Sequence, residues 1–243
     1  MDAQSFISEL TRVFKDNGLA SLLSAEKSEK FFRLTERMLV ENEKYNLTAI
    51  TDPKKIILAH YADCAALSAK IEKNANLADI GCGAGFPTLP LAILREDIKI
   101  TAIDSTAKRI NYVSETANML ELSNVKAVAM RAEDGGKNPE YREKFDYVTA
   151  RAVAEMRVLS ELCLPYAKKG GKFIAMKGKN AEFELAGAKK AIAVLGGRNP
   201  KVEQIKLKND EEELSHPLII VDKAEKTPVS YPRPDAQISK KPL

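Results

Sequence analysis

The hydrophobic pattern of the chain changes period near residue 76. Before that point Phe31, Leu34 and Met38 recur three to four residues apart, with Phe32 and Leu39 alongside, among Glu, Lys and Arg. That is the spacing of one buried helix face. Thr51-Asp52-Pro53 reads as a helix start, with Asp52 at the N-cap and Pro53 in the first helical position. The helix it opens would carry Ile56, Ile57, His60, Tyr61, Cys64 and Leu67. Residues 1–73 are therefore expected to form a helical N-terminal cap.

From residue 76 onward, short apolar runs over 76–80, 98–103, 125–130, 146–150 and 172–176 read as strands. Segments 87–94, 106–120 and 154–166 between them read as helices. This alternation predicts an α/β fold over 74–224, a doubly wound, mostly parallel sheet with helices on both faces. Runs 202–207 and 218–221 would close one edge as an antiparallel pair, around an exposed turn at 210–213. Pro228, Pro232, Pro234 and Pro242 make 225–243 an extended basic tail.

Composition narrows the picture. At 243 residues, 44% hydrophobic and 30% charged, the chain can bury a sizeable core. The apolar run 89–94 is broken by Pro90, and no stretch nears the roughly 20 residues that a spanning helix needs. The first residues lack a basic stretch followed by an apolar one, and the three cysteines form no CxxC and no metal-ligand spacing. A cytoplasmic protein without membrane or metal is the expectation, and one copy is expected to suffice. The net charge of +4 is unevenly spread, because residues 168–208 hold eleven Lys and Arg against Glu182, Glu184 and Glu203. Solvated helix faces would account for this, and so would a surface for a polyanion.

The most informative segment is 77–87, Leu-Ala-Asp-Ile-Gly-Cys-Gly-Ala-Gly-Phe-Pro. A strand runs into a turn with Gly81, Gly83 and Gly85, and a helix follows. Such a turn lets a ligand approach the backbone, and the helix start offers unpaired N–H groups. A dinucleotide fingerprint would place its third glycine where Phe86 stands, which disfavours a nicotinamide oxidoreductase. Asp79 before the turn suits an ammonium group better than a diphosphate. Asp104 ends the next strand, twenty-five residues on, where a carboxylate can accept both ribose hydroxyls. Ala132 and Glu133 end the third strand and could flank an adenine. Arg151 follows the fourth, where it could hold a carboxylate or a phosphate. Its plainer reading is an ion pair.

That layout is the one of a class I S-adenosylmethionine-dependent methyltransferase. More narrowly, the chain resembles the bacterial glucose-inhibited division protein B family. The resemblance is carried by Tyr45-Asn46-Leu47-Thr48, the glycine loop through Pro87, Arg131-Ala132-Glu133, the segment 145–152, Met176-Lys177-Gly178 and the tail's Tyr231-Pro232-Arg233 with Lys240-Lys241-Pro242-Leu243. Thr88, and residues 234–239, depart from the family's pattern. The resemblance implies methylation of guanine N7 in small-subunit (16S) ribosomal RNA, with that RNA or the ribosomal subunit as partner. It also implies cofactor contacts from Gly81, Phe86, Ala132, Glu133 and Arg151.

Residue types are consistent with that chemistry. The segment after the fourth strand lacks the Asn/Asp-Pro-Pro-aromatic run used on exocyclic amines, and Cys64, Cys82 and Cys163 all read as packed residues. Guanine N7 already presents a lone pair in the ring plane, so no general base has to create the nucleophile, and no catalytic residue is assigned. His60 and Asp63 share a helix face, while Asn46 and Thr48 read first as turn and capping residues. Arg33, Arg37, Lys177, Arg233, Lys240 and Lys241 are the candidates for RNA contacts. A small-molecule or protein methyltransferase, which needs no RNA surface, and a non-catalytic RNA-binding protein of this fold are the alternatives.

Overall fold

The computed structural model describes residues 1–243. Two long helices open the chain, α1 (Ala3–Asp16) and α2 (Ala25–Tyr45), each started by a side-chain cap from Asp2 or Ser24. Asn46 closes α2 in the left-handed conformation, with φ 48°, a role that asparagine fills more readily than most residues. Asp52 caps α3 (Pro53–Ile56), Pro53 sits in its first turn, and the helix runs on through a π-helical stretch, Ile57–Ala62, into α4 (Asp63–Ser68).

The sheet alternates with helices as β1 (Asn76–Ile80), α5 (Thr88–Leu94), β2 (Lys99–Asp104), α6 (Ala107–Met119), β3 (Val125–Ala129), α7 (Ala132–Gly135), β4 (Phe145–Arg151), α8 (Met156–Cys163), β5 (Ala167–Met176), α9 (Ala181–Val194), β6 (Gly197–Lys208) and β7 (Glu213–Lys223). A last short helix, α10, spans Asp235–Lys240. Strand order is β3-β2-β1-β4-β5-β7-β6. The first five strands are parallel, whereas β7 runs antiparallel between β5 and β6. The order turns around between β1 and β4, and the crevice outside the strand ends at such a point is where open α/β sheets bind ligands.

Alternation along the strands sorts side chains between two cores. Leu77, Ile174, Leu218 and Ile220 face one side, while Ala78, Phe173, Ala175, Ile219 and Val221 face the other. The first side is covered by the N-terminal helices together with α5 and α6. Phe6, Phe14 and Phe31 belong to the same apolar cluster as Ile100 and Ala102 of β2, so the helical cap has no core of its own. Tyr61 joins them, its hydroxyl 2.7 Å from that of Thr35 and its ring 4.6 Å from Phe31.

Two expectations change here. The tail makes a turn at 228–231, where the Tyr231 N–H donates to the Pro228 carbonyl at 3.0 Å, and then forms α10, whose Ile238 is fully buried beside α8. β5 begins five residues before the apolar run that marks it, because the strand pairs with Phe145 before a register shift near Tyr147. Helix α9 lacks a clear apolar stripe in the sequence, since Ala181, Ala188 and Ala191 make much of its buried face.

Candidate active site

The glycine turn folds as its composition requires. Gly81, Gly83 and Gly85 have φ of 72°, 54° and 83°, a region that side chains rarely adopt. Asp104 clamps the turn: Oδ2 accepts from the Gly83 N–H at 3.0 Å, and Oδ1 accepts from that of Thr106 at 2.8 Å. Beneath the turn Asp79 is fully buried. Its Oδ2 accepts a 2.6 Å bond from the Thr88 hydroxyl and its Oδ1 has no partner. Burial raises the Asp79 carboxyl to about 7 despite that bond. Thr88 is thus what satisfies half of this carboxylate.

Beyond the ends of β1, β2 and β3 lies a cavity of about 300 Å³, bordered by Gly81, Asp104, Ala132, Glu133, Ala152 and the apolar side chains of Ile103, Met130 and Leu162. Among the cofactor residues expected from the sequence, it brings together Gly81, Asp104, Ala132 and Glu133. Asp79, Gly83, Gly85 and Phe86 do not border it and instead build or underlie the turn. The residues present fit the nucleoside of S-adenosylmethionine. Both Asp104 oxygens keep a free lone pair beside their backbone bonds, and the apolar walls next to Ala132 and Glu133 suit a flat base. Tyr166 fixes that wall by donating a 2.7 Å bond to the Ala132 carbonyl.

A second cavity, of about 250 Å³, meets the first at Ala152 and is bordered by Asp63, Arg151, Met176, Lys177, Glu184 and His216. Arg151 lies here, not with the nucleoside residues. Its Nη2 donates to His60 Nδ1 at 2.6 Å, its Nη1 lies 3.4 Å from Asp63 Oδ2, and its guanidinium sits 5.8 Å from the centre of the Phe86 ring. A guanidinium cannot accept, so Nδ1 is the unprotonated nitrogen and Nε2–H donates to Thr48 Oγ1 at 3.2 Å. The same Thr48 oxygen accepts from Ile50 N–H at 3.1 Å. Phe86 stacks on His60, with centroids 4.5 Å apart. Desolvation, with Arg151 alongside, lowers the His60 pKa to about 3, leaving the ring neutral.

His216 is the residue that the sequence did not single out. It arrives on β7, and its Nδ1 lies 3.2 Å from Asp63 Oδ2. Asp63 is only 3% exposed and its Oδ1 lacks a partner. The one available signal was that the chain has two histidines. Lys177 pairs with Glu184 at 2.6 Å and donates to the Ala154 carbonyl at 2.8 Å. All three cysteines are buried and free, with thiols pushed up by desolvation, so none is a ready thiolate.

The remaining basic candidates lie apart. Arg33 donates to the Met119 carbonyl at 2.8 Å, and Arg37 pairs with Glu115 at 2.7 Å and with Thr116 at 2.9 Å, joining α2 to α6. Arg233 is bound to the buried Glu161 of α8 through Nη2 at 2.6 Å and Nε at 2.9 Å. Lys240 and Lys241 are exposed, as are Lys168, Lys169, Lys179, Lys189, Lys190 and Arg198.

Seven strands in this order, with a glycine turn clamped by an acidic residue at the end of β2, define the class I S-adenosylmethionine-dependent methyltransferase fold. Among solved structures, an S-adenosylmethionine-dependent O-methyltransferase from Thermotoga maritima superposes with a TM-score of 0.53 at 15% identity, covering 79% of this chain and 72% of that one. A precorrin-6y C5,15-methyltransferase from Geobacter metallireducens gives 0.51 at 14%, covering 75% and 96%. Sequence similarity goes further. Residues 27–214 match the GidB family, described as rRNA small subunit methyltransferase G. Ribosomal RNA small subunit methyltransferase G of Clostridium perfringens is 46% identical over 220 residues, 90% of this chain and 91% of that protein. That of Oceanobacillus iheyensis is 44% identical over 97% and 98% of the two chains. The chain belongs to the rRNA small subunit methyltransferase G family.

Proposed function

We propose that this protein methylates N7 of a guanine in 16S ribosomal RNA, using S-adenosylmethionine, as a monomer in the cytoplasm. The observation that carries the reading is the pair of cavities meeting at Ala152, one suited to a nucleoside and the other lined by polar groups. When bound, S-adenosylmethionine supplies an electrophilic methyl carbon on a sulfonium. Asp104 would hold the ribose, Ala132 and Glu133 the adenine, and Gly81 leaves room beside the turn. Asp79, Gly83, Gly85 and Phe86 keep that turn in shape. Arg151 faces the acceptor side.

The chain's contribution is alignment. Guanine N7 needs no deprotonation, so no base is required of the residues around the second cavity; His60, behind Arg151, is neutral with its Nδ1 taken by Arg151. Orientation of two bound ligands can supply much of the rate. The target base has to leave its stack to enter. Exposed lysines and arginines over 168–208, with Lys240 and Lys241, would hold the phosphates. Arg33, Arg37 and Arg233 could contribute only through the edges of groups already paired.

The reading is tested by incubating labelled S-adenosylmethionine with small subunits from cells lacking this protein and mapping label by cleavage at N7-methylguanine. One labelled guanine is expected, with label abolished by Asp104→Ala. Tight cofactor binding without RNA labelling would move the acceptor to another class.

A further inference from the structure

We propose that the second cavity receives the target base and that the Asp63 carboxylate reads the donor edge of guanine, its N1–H and N2–H groups; this assignment rests on the acceptor proposed above. Asp63 borders the cavity while almost completely buried. One of its oxygens has no hydrogen-bond partner, while the other accepts from Arg151 Nη1 at 3.4 Å and lies 3.2 Å from His216 Nδ1. A buried carboxylate in that state is costly, and a ligand offering donors relieves the cost.

Among the four bases, guanine alone presents two parallel N–H donors on its Watson–Crick edge. Adenine places a ring nitrogen acceptor there, cytosine sets its amino group beside an acceptor, and uracil has one N–H between two carbonyls. The order along the guanine edge is donor, donor, then the O6 acceptor. In the proposed pose the two Asp63 oxygens would meet the two donors, and the Arg151 guanidinium, 3.4 Å from Asp63 Oδ2, would meet O6. In that pose N7, next beyond O6, makes no contact with the carboxylate and keeps its lone pair. Methylation at N7 leaves the ring system cationic. A carboxylate beside N1–H therefore interacts more strongly with the transition state than with the neutral base.

The test replaces the mapped guanosine in reconstituted small subunits with inosine, which lacks the N2 amino group, or with N1-methylguanosine, which lacks the N1 donor. Wild-type protein is expected to lose tenfold or more in kcat/KM with each analogue, because a site built around substrate donors rejects the analogue that lacks them. Asp63→Asn should lower the rate on guanosine, compress the guanosine-to-inosine ratio towards one and leave S-adenosylmethionine affinity unchanged by calorimetry. A structural role alone would lower the rate without changing that ratio. An unchanged ratio in Asp63→Asn, or wild-type protein that accepts both analogues as well as guanosine, overturns the assignment. The analogue comparison needs no variant, so it stands even if Asp63→Asn fails to fold. Absence of label at any guanosine with wild-type protein would instead refute the proposed acceptor, and this assignment with it.

Discussion

His60, stacked on Phe86, and Asp79, bonded to Thr88, respond to pH in opposite senses. The folded chain holds the His60 pKa near 3, against an ordinary value of 6.5. Between those values the unfolded chain takes up a proton that the folded chain refuses, so the stability present above pH 6.5 is lost as pH falls through that interval. Thermal midpoints of the wild type should decline over it more steeply than those of His60→Gln. Asp79 is shifted the other way, to about 7 from 3.8. Its contribution is fully present below pH 3.8 and disappears as pH rises through 7. Asp79→Asn keeps an acceptor for the Thr88 hydroxyl and should raise the thermal midpoint at pH 8 by a few degrees, with little gain at pH 4. The glycines separate similarly. Gly81→Ala combines a φ of 72° with a Cβ 2.6 Å from Val153 Cγ2, a side chain bordering the first cavity, whereas at Gly83 the added Cβ makes only an ordinary contact, 3.9 Å from the Gly81 carbonyl oxygen. About tenfold weaker S-adenosylmethionine binding is expected for Gly81→Ala. For Gly83→Ala only the strain of the left-handed backbone applies, about 1–2 kcal/mol. Calorimetry distinguishes the two.

Among the elements, α10 is held by the buried Ile238 and, just ahead of it, by the ion pair of Arg233 with Glu161. The Glu161 side chain is fully buried, and its carboxylate accepts from Arg233 through the backbone N–H, Nε and Nη2. Arg233→Ala removes the counter-charge and leaves that carboxylate only the backbone N–H, which should cost about 3 kcal/mol, the low end for breaking a buried pair because the guanidinium keeps some exposure. Amide exchange would show the loss first in residues 231–243. This pair also explains why the tail was less legible than the sheet. Strands β1 to β5 announce themselves through apolar runs that both cores require, and the antiparallel edge was legible for the same reason. Nothing local marks Glu161 as the partner of Arg233, 72 residues away, and four prolines argue for extension. The site divides likewise. Asp104 and the glycines are legible because the turn dictates them, while His216 reaches Asp63 only through the pairing of β7 with β5.

For the molecule as a whole, the proposed encounter with RNA rests on charge placement. The net charge is only +4, yet Lys168, Lys169, Lys179, Lys189, Lys190 and Arg198 are exposed within one stretch of sequence. Affinity for small-subunit RNA should fall linearly with the logarithm of salt concentration, and Lys189→Ala with Lys190→Ala should flatten that slope by about 0.7–0.9 for each phosphate contact removed. Filter retention across a salt series would measure it, and an unchanged slope would move the RNA surface elsewhere.

Ala152 forms the frame between the two cavities and holds a φ of 54°. Its side chain costs the folded backbone about 1–2 kcal/mol. Glycine would relieve that strain while giving the unfolded chain about 0.4–1 kcal/mol of extra freedom, which offsets roughly half of the gain and leaves stability no lower. Misplacement by about 1 Å can slow a reaction about a hundredfold. Ala152→Gly therefore separates accuracy from durability: its melting temperature falls no lower than that of the parent while donor and acceptor lose their common line.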